Sequence, residues 1–512
     1  MICKYKRLRL CGLSVLLSLL LCLCNSCQLL YVRYAETSAT TGATAAAVET
    51  RDISTPPGAA PDFGIHLSDL DSGYEDAVIA ASGLQKADYA NTVFLLCVAE
   101  EAENTLLPEE TVPMFASCAK RNALINEVYG NSFTVFTAPM ETLQKDLAAS
   151  VKAGSNADSY YADTLEIPAA DALSLSNKGL LLSLRSLPFY QVATSGSKGA
   201  GYYRNAKNYF DVSEATYSPI GVDCLYFNTD LAGADLTEAL YAAALGDGLD
   251  FETLLTAAKS VETTEIPYDI CGNFSFGTFG NIAFVRAGNR YTEQVGGYPQ
   301  LTEALTASDK VDALFAQLAE LRWYGYTPTD AEPEPVPSSA ASSAIAPAAE
   351  PNGYDMFAAG KSLFYIGKAG EMAQLTAEKC RWGILPLPGE GSAEKVERNR
   401  SVLCVSANNS RLEMTGYMLT ALQKCSGDWM AHEFAIDAAQ NLLRDNNSYF
   451  TLCKALEGAV FCDFAEICGS GCKNLTAATY DAVAKAMENK VAVSSLTKSL
   501  KTAVNNALKK LN

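Results

Sequence analysis

A single carboxylate, Asp223, stands inside "SPIGVDCLYFNTDLA" (Ser218–Ala232), between a Pro–Gly bend and a short apolar run. Pro219 and Gly221 permit a sharp turn, and Leu225, Tyr226 and Phe227 favour a buried strand. Asn228, Thr229 and Asp230 offer a cap before a polar turn. An acid in this setting either faces water or is held by a donor, because burying it alone is costly. What it can do is accept strong, charge-assisted hydrogen bonds from hydroxyls or amines. Residue sets suited to covalent chemistry are thin. "HEFAID" at His432 lacks the second histidine of a zincin, and its amphipathic setting predicts a surface histidine. "GSKGAG" from Gly196 lacks the Lys-Ser/Thr ending of a phosphate loop and reads as a flexible turn. There is no G-x-S-x-G elbow, and the two histidines, His66 and His432, leave little room for a Ser–His–Asp triad. Cys462, Cys468 and Cys472 form the one tight thiol group but have no evident fourth ligand. Apolar or disulfide cysteines are expected there, and neither a metal nor a cofactor. Acids are plentiful, so a paired-carboxylate hydrolase stays open, with no pair singled out.

The elements that must position these residues alternate. "SCAKRNALINEVYG" places Leu124, Ile125 and Val128 at helical spacing and stops at Gly130. "SFTVF" alternates like a strand. "PMETLQKDLAASVKAG" then puts Met140, Leu143, Leu147 and Val151 on one helical face and ends at Gly154. In "DFETLLTAAKSV", Asp250 is a cap and Phe251, Leu254, Leu255 and Ala258 form the buried stripe. Such alternation predicts α/β layers. "DAEPEPVPSSAASSAIAPAAEP" (Asp330–Pro351) has almost no large apolar residues and reads as a disordered loop or a linker. "YDMFAAGKSLFYIG" after it resumes strand character.

The N-terminus gives the expected compartment. Lys4, Lys6, Arg7 and Arg9 precede an apolar run, Leu10–Leu23, which is short for a membrane span and fits a secretory signal. Ser26–Cys27 resembles a bacterial lipobox, which implies a lipidated Cys27 as the new N-terminus. Ordinary signal cleavage and an uncleaved anchor are the alternatives. The Ala/Thr/Ser-rich tract that follows has too little to bury and is expected to be a tether. The formal charge is −19, and losing the four signal-peptide cations takes it to −23. Acidity of this order, with no basic cluster, argues against a nucleic-acid partner.

Several ordered motifs resemble one family. "RNALINEVYGNSFTVF", "LAASVKAGSNADSYYAD", "YSPIGVDCLYFNTDLAGA", "GLDFETLLTAAKSV" and "FAAGKSLFYIG" followed by "WGILPLP" are similar, in that order, to segments of maltodextrin-binding-like (family 1) extracellular solute-binding proteins of bacterial ABC importers. "LLRDNNSYFTLCKALEGAVFCDFAEI" resembles a tail found in some gut-bacterial members. The resemblance implies an α/β fold of two lobes joined by crossover strands, with ligand held between them. It implies a signal peptide over 1–27, a tether over 28–61, lobe one over 62–218, and lobe two over 219–386 with a disordered insert at 330–351. Residues 387–445 would return to lobe one, and 446–512 would form a helical part mainly of lobe two.

For function the resemblance implies a non-enzymatic, monomeric receptor, lipid-anchored on the outer face of the cell membrane. It would capture a small solute, a sugar or oligosaccharide, and deliver it to an ABC permease. Asp223 occupies the position of a hydrogen-bonding acid in relatives. Tyr161 and Asp163, with Tyr160, fall where relatives carry ligand contacts from lobe one, and Tyr217 flanks the crossover. Phe274, Phe276 and Phe279 offer an aromatic wall or plain core. After "FYIG", many sugar-binding relatives carry a stacking tryptophan; here Lys368, Ala369 and Gly370 stand instead. Lys368 is therefore a ligand candidate that favours an anion. A peptide or anionic solute is the alternative ligand, and a surface hydrolase or adhesion lipoprotein the alternative class.

Overall fold

Two five-stranded mixed sheets organise the chain, and the strands of each are interleaved with helices. The structure is a computed structural model. It describes residues 87–89, 92–102, 115–154, 161–190, 203–204, 207–208, 210–211, 219–246, 248–261, 265–295, 298–302, 309–325, 351–377, 380–389, 401–426, 428–457, 483–487 and 502. All of these belong to one unit, Ala59–Asn512.

The first sheet opens with β1 (Val93–Ala99), α1 (Phe115–Tyr129), β2 (Ser132–Ala138) and α2 (Met140–Ala153). It continues with β3 (Thr164–Pro168) and α3 (Ala169–Asn177). The predicted helix stops are present: Gly130 and Gly154 take φ of 67° and 90°, conformations that cost glycine little. Alternation along β1 sorts its side chains between two layers. Phe94, Leu96 and Val98 meet Ile125, Val128 and Tyr129 of α1, while Cys97 and Ala99 meet Leu143 and Leu147 of α2. After β4 (Tyr203–Arg204) and β5 (Lys207–Asn208), which form a small hairpin, β6 (Phe210–Asp211) closes the first sheet at its edge.

The chain then passes to the second sheet at β7 (Asp223–Asn228), whose six residues are all buried. Where the sequence suggested a polar turn, Asn228 instead caps a helix: its Oδ1 accepts from the Asp230 and Leu231 amides at 3.0 and 3.1 Å. That helix is α4 (Thr229–Leu245), kinked at Gly233. The cap residue is legible in the sequence; the apolar density behind it carries the helix onward past the turn formers. α5 (Phe251–Ser260) has the expected cap, Asp250 Oδ1 accepting from the Thr253 amide at 2.8 Å. β8 (Tyr268–Gly272), α6 (Phe276–Arg286), the hairpin β9 (Thr292–Val295) and β10 (Tyr298–Leu301), α7 (Asp309–Leu318) and β11 (Trp323–Gly325) follow. "YDMFAAGKSLFYIG" begins as a helix, α8 (Gly353–Ala358), with a reciprocal Asn352–Asp355 capping box, before the strand β12 (Ser362–Lys368). α9 (Met372–Ala377) and β13 (Trp382–Pro386) complete this part.

The strand order is β11-β8-β12-β7-β13, with β7 antiparallel to both of its neighbours. The chain returns to the first sheet as β14 (Ser401–Cys404), antiparallel to β3, and continues into α10 (Leu412–Lys424) beside α1. α11 (Asp428–Asn441) touches α1 and then α12 (Asn446–Leu456), which lies on β13 and α4 of the second sheet. Up to Leu456 the chain therefore passes between the two sheets three times. His432, expected at the surface, is 6% exposed in α11. α11 is covered on more than one side, which a single amphipathic pattern did not reveal.

Eight thiols among the described residues are unbridged, and all are buried, on both sheets and their helices. Cys462, Cys468 and Cys472 lie outside the described residues, as do Cys27 and residues 326–350. The residues flanking that last stretch converge. Gly325 pairs with Gly272, the Gly353 amide donates to Oδ1 of Asn273 one residue further on at 2.8 Å, and the Tyr324 hydroxyl donates to the Pro351 carbonyl. Deleting Glu332–Ala349 is therefore expected to leave the melting temperature nearly unchanged, since loop length costs only about 0.6 kcal/mol per doubling. A large drop on calorimetry would show that the tract is packed.

Candidate functional site

Strands β8, β11, β12 and β13 all run toward one end of the second sheet, and β7 begins there. In open α/β sheets ligands lie beyond the carboxyl ends of the strands. That end collects Asp223, Lys368, Asn273 and the segment after Pro386. Asp223 and Lys368 are direct cross-strand partners in the β7–β12 ladder, so they share one face. On the other flank, Cys224 pairs with Pro386, which puts Leu387 beside Asp223. Asp223 is 2% exposed, so this acid is enclosed by protein in the ligand-free chain.

Around this row lies a hydrogen-bond framework that motif reading missed. The Tyr226 hydroxyl donates to the carbonyls of Lys368 and Ala369 at 2.8 and 3.3 Å and fixes the bend that follows β12. The Tyr365 hydroxyl donates to Oε2 of Glu371 at 2.5 Å and accepts from Nδ2 of Asn273 at 3.2 Å. Desolvation, with Cys224 and Glu371 adding to it, pushes the Tyr226 phenol well above its ordinary range. It therefore remains a donor at any physiological pH. Nothing in the local sequence marks Asn273 or Glu371; they come together through strand order.

Phe274 and Phe279 are buried and Phe276 partly so, and all three gather on Trp323. Trp323 stacks on Phe279 with centroids 5.1 Å apart. The expected aromatic group exists, and most of its surface is spent on packing.

The lobe-one candidates stand elsewhere. Tyr161 and Asp163, expected to follow a strand, come before β3 instead, at its amino end, because the strand spans Thr164–Pro168. Tyr161 packs edge-on against Phe136, and its hydroxyl lies 3.6 Å from Sγ of Cys97. Asp163 is fully buried; its Oδ2 accepts from the Leu95 amide at 2.7 Å and pairs with the Arg411 guanidinium. Its backbone carbonyl accepts from Nδ2 of Asn409 at 3.0 Å. These bonds staple β3 to β1 and to the turn before α10. Asp269 repeats the device at the amino end of β8, where it accepts from the Arg322 amide and guanidinium. At the opposite, carboxyl end of the first sheet, the Glu101 carboxylate accepts from the Met140 amide at 2.9 and 3.1 Å and so caps α2. Tyr217 and Tyr160 lie outside the described residues. Among the described residues no group of His, Cys, Asp and Glu could hold a metal ion.

No family model matches the chain, and no curated protein does. Solved structures do. The sugar-binding protein MalE from the phytopathogen Xanthomonas citri superposes over 82% of this chain and 98% of its own, with a TM-score of 0.51 at 13% identity. The chain has the periplasmic-binding-protein fold. The GacH receptor of Streptomyces glaucescens GLA.O, solved unliganded and with acarbose and an acarbose homologue, aligns over 82% of this chain and 99% of its own. Its TM-score is 0.46 at 12% identity. The Asp223–Lys368 row sits where the chain, after β6 of the first sheet, begins β7 of the second.

Proposed function

We propose that the protein is a solute receptor that closes two lobes around a sugar or oligosaccharide and hands it to an ABC permease. The observation that carries this reading is the row Lys368–Asp223–Leu387 at the carboxyl end of the second sheet, on a chain with this fold. A carboxylate beside a lysine at the carboxyl end of a sheet suits a ligand rich in hydroxyls. MalE of X. citri, which shares the fold, is a sugar-binding protein. Closure requires contacts to both lobes, since a ligand that touches only one cannot shift the equilibrium between open and closed forms. Lys368 in the row supports a second reading, an anionic solute or a peptide.

A thermal-shift screen against oligosaccharides, amino acids and peptides tests the first reading and separates the two. A cleft ligand at a hundred times its Kd stabilises by about 2.7 kcal/mol. A rise with neutral oligosaccharides supports the first reading; a rise confined to anions or peptides replaces it.

The proposed location is the outer face of the cell membrane, held by an acyl chain on Cys27. Cys27→Ala is expected to move the protein from the membrane fraction to the medium. Unchanged partition of the variant would leave the apolar run, and not the thiol, as the anchor.

A further inference from the structure

Arg286 ends α6 and reaches sideways to the segment that leaves β13. Its Nη2 donates to the Leu387 carbonyl at 2.6 Å and its Nε to the Pro388 carbonyl at 3.3 Å. Both acceptor residues are buried. The next residue, Gly389, donates its amide to the Leu249 carbonyl at 3.0 Å. A Cβ at Gly389 would come within 2.5 Å of the Arg286 carbonyl and 3.0–3.1 Å of the guanidinium, so glycine is required for this approach. Three successive residues are thereby fixed to the second lobe at the start of the passage from Pro386 back to Ser401. Leu387 lies beside Asp223, the first strand residue of the incoming passage, so both passages meet the second lobe at one place.

Resting on the two-lobed receptor reading, we infer that Arg286 is a positioning residue: it clamps the outgoing passage and so sets the pivot about which the lobes move. A planar guanidinium can hold two consecutive carbonyls at once, which an ammonium cannot match. Its charge also suits the carboxyl end of α6. Burial lowers the Arg286 pKa to about 10, which still leaves it protonated at neutral pH. With the clamp in place residues 387–389 move with the second lobe. Without it, the pivot slides back to the end of β13 and the lobes sample a wider range of angles.

Hydrogen–deuterium exchange and small-angle scattering on the full, ligand-free chain test this without any ligand. In Arg286→Gln, the Gly389 amide is expected to exchange roughly tenfold faster, the scale of one lost hydrogen bond. Exchange along β1 is expected to stay as in the wild type, the radius of gyration to increase, and Arg286→Lys to recover part of both changes. Unchanged exchange at Gly389, or an equal rise in both sheets, overturns the proposal. Faster exchange at Gly389 with an unchanged scattering profile also overturns it, because Arg286 would then be only a local contact. None of these outcomes depends on whether the solute is a sugar.

Discussion

Asp163→Ala is expected to lower the unfolding free energy by about 3 kcal/mol, the lower end of the range for breaking a buried ion pair from one side. The carboxylate is fully buried, and it ties the Leu95 amide and the Arg411 guanidinium together. Removing it leaves a half-buried amide without its acceptor and a cation without this partner. The Arg411 side chain is 31% exposed, so water relieves part of that loss. Denaturant titration is expected to show a lower midpoint at unchanged slope, because the surface exposed on unfolding is the same. Ligand affinity of the folded variant is expected to match the wild type. Lys259–Glu320 is the control: that pair is 2.6 Å apart but more than half exposed on both sides. Its loss is expected to cost under about 1 kcal/mol. Near-wild-type stability for Asp163→Ala would mean the staple is redundant and the residue is free for another task.

The second large effect concerns affinity. Asp223→Asn keeps the side chain's shape and removes its charge, and it is expected to weaken solute binding by about 1.5–3 kcal/mol, the range for a hydrogen bond to a charged group. Asp223→Ala is expected to weaken binding as much and also to lower the melting temperature, because the position is 2% exposed and a void there would have to collapse. The pair of variants separates recognition from packing. Calorimetric titration with whichever solute the screen identifies gives the affinity, and a thermal scan of the free protein gives the stability. Full affinity in a folded Asp223→Asn protein would remove Asp223 from the binding surface.

Local signals carried much of the architecture. Asp250, Gly130 and Gly154 mark helix ends through their own backbone and side-chain preferences, and the structure has helix ends at each. The placement of β3 shows where such signals fail. "TLEIP", which directly follows Asp163, carries a glutamate at its centre; yet Glu166 is fully buried on the face of β3 that meets α1, which itself buries Arg121. Strand order, and not local hydropathy, buries that acid. The β3 assignment in turn decides whether Asp163 lies at a rim or at a root. At the second sheet the motifs picked out Asp223 and Lys368 singly. Their pairing depends on β12 lying next to β7, more than a hundred residues away in sequence. Arg286, Asn273 and Glu371 gave no sign because each is ordinary until three strands meet.

The buried thiols have a further use. Thiolate, not thiol, reacts with alkylating agents, and burial pushes Cys97 and Cys425 up to about 11 and Cys271 to about 12. At pH 8 each of these sulfurs can react only when the structure around it opens. Cys97 and Cys404 sit in the first sheet and Cys224 and Cys271 in the second, so the chain carries a built-in stopwatch for each lobe. The order in which a small alkylator marks them ranks the lobes by how often each comes apart, with no probe added to the protein.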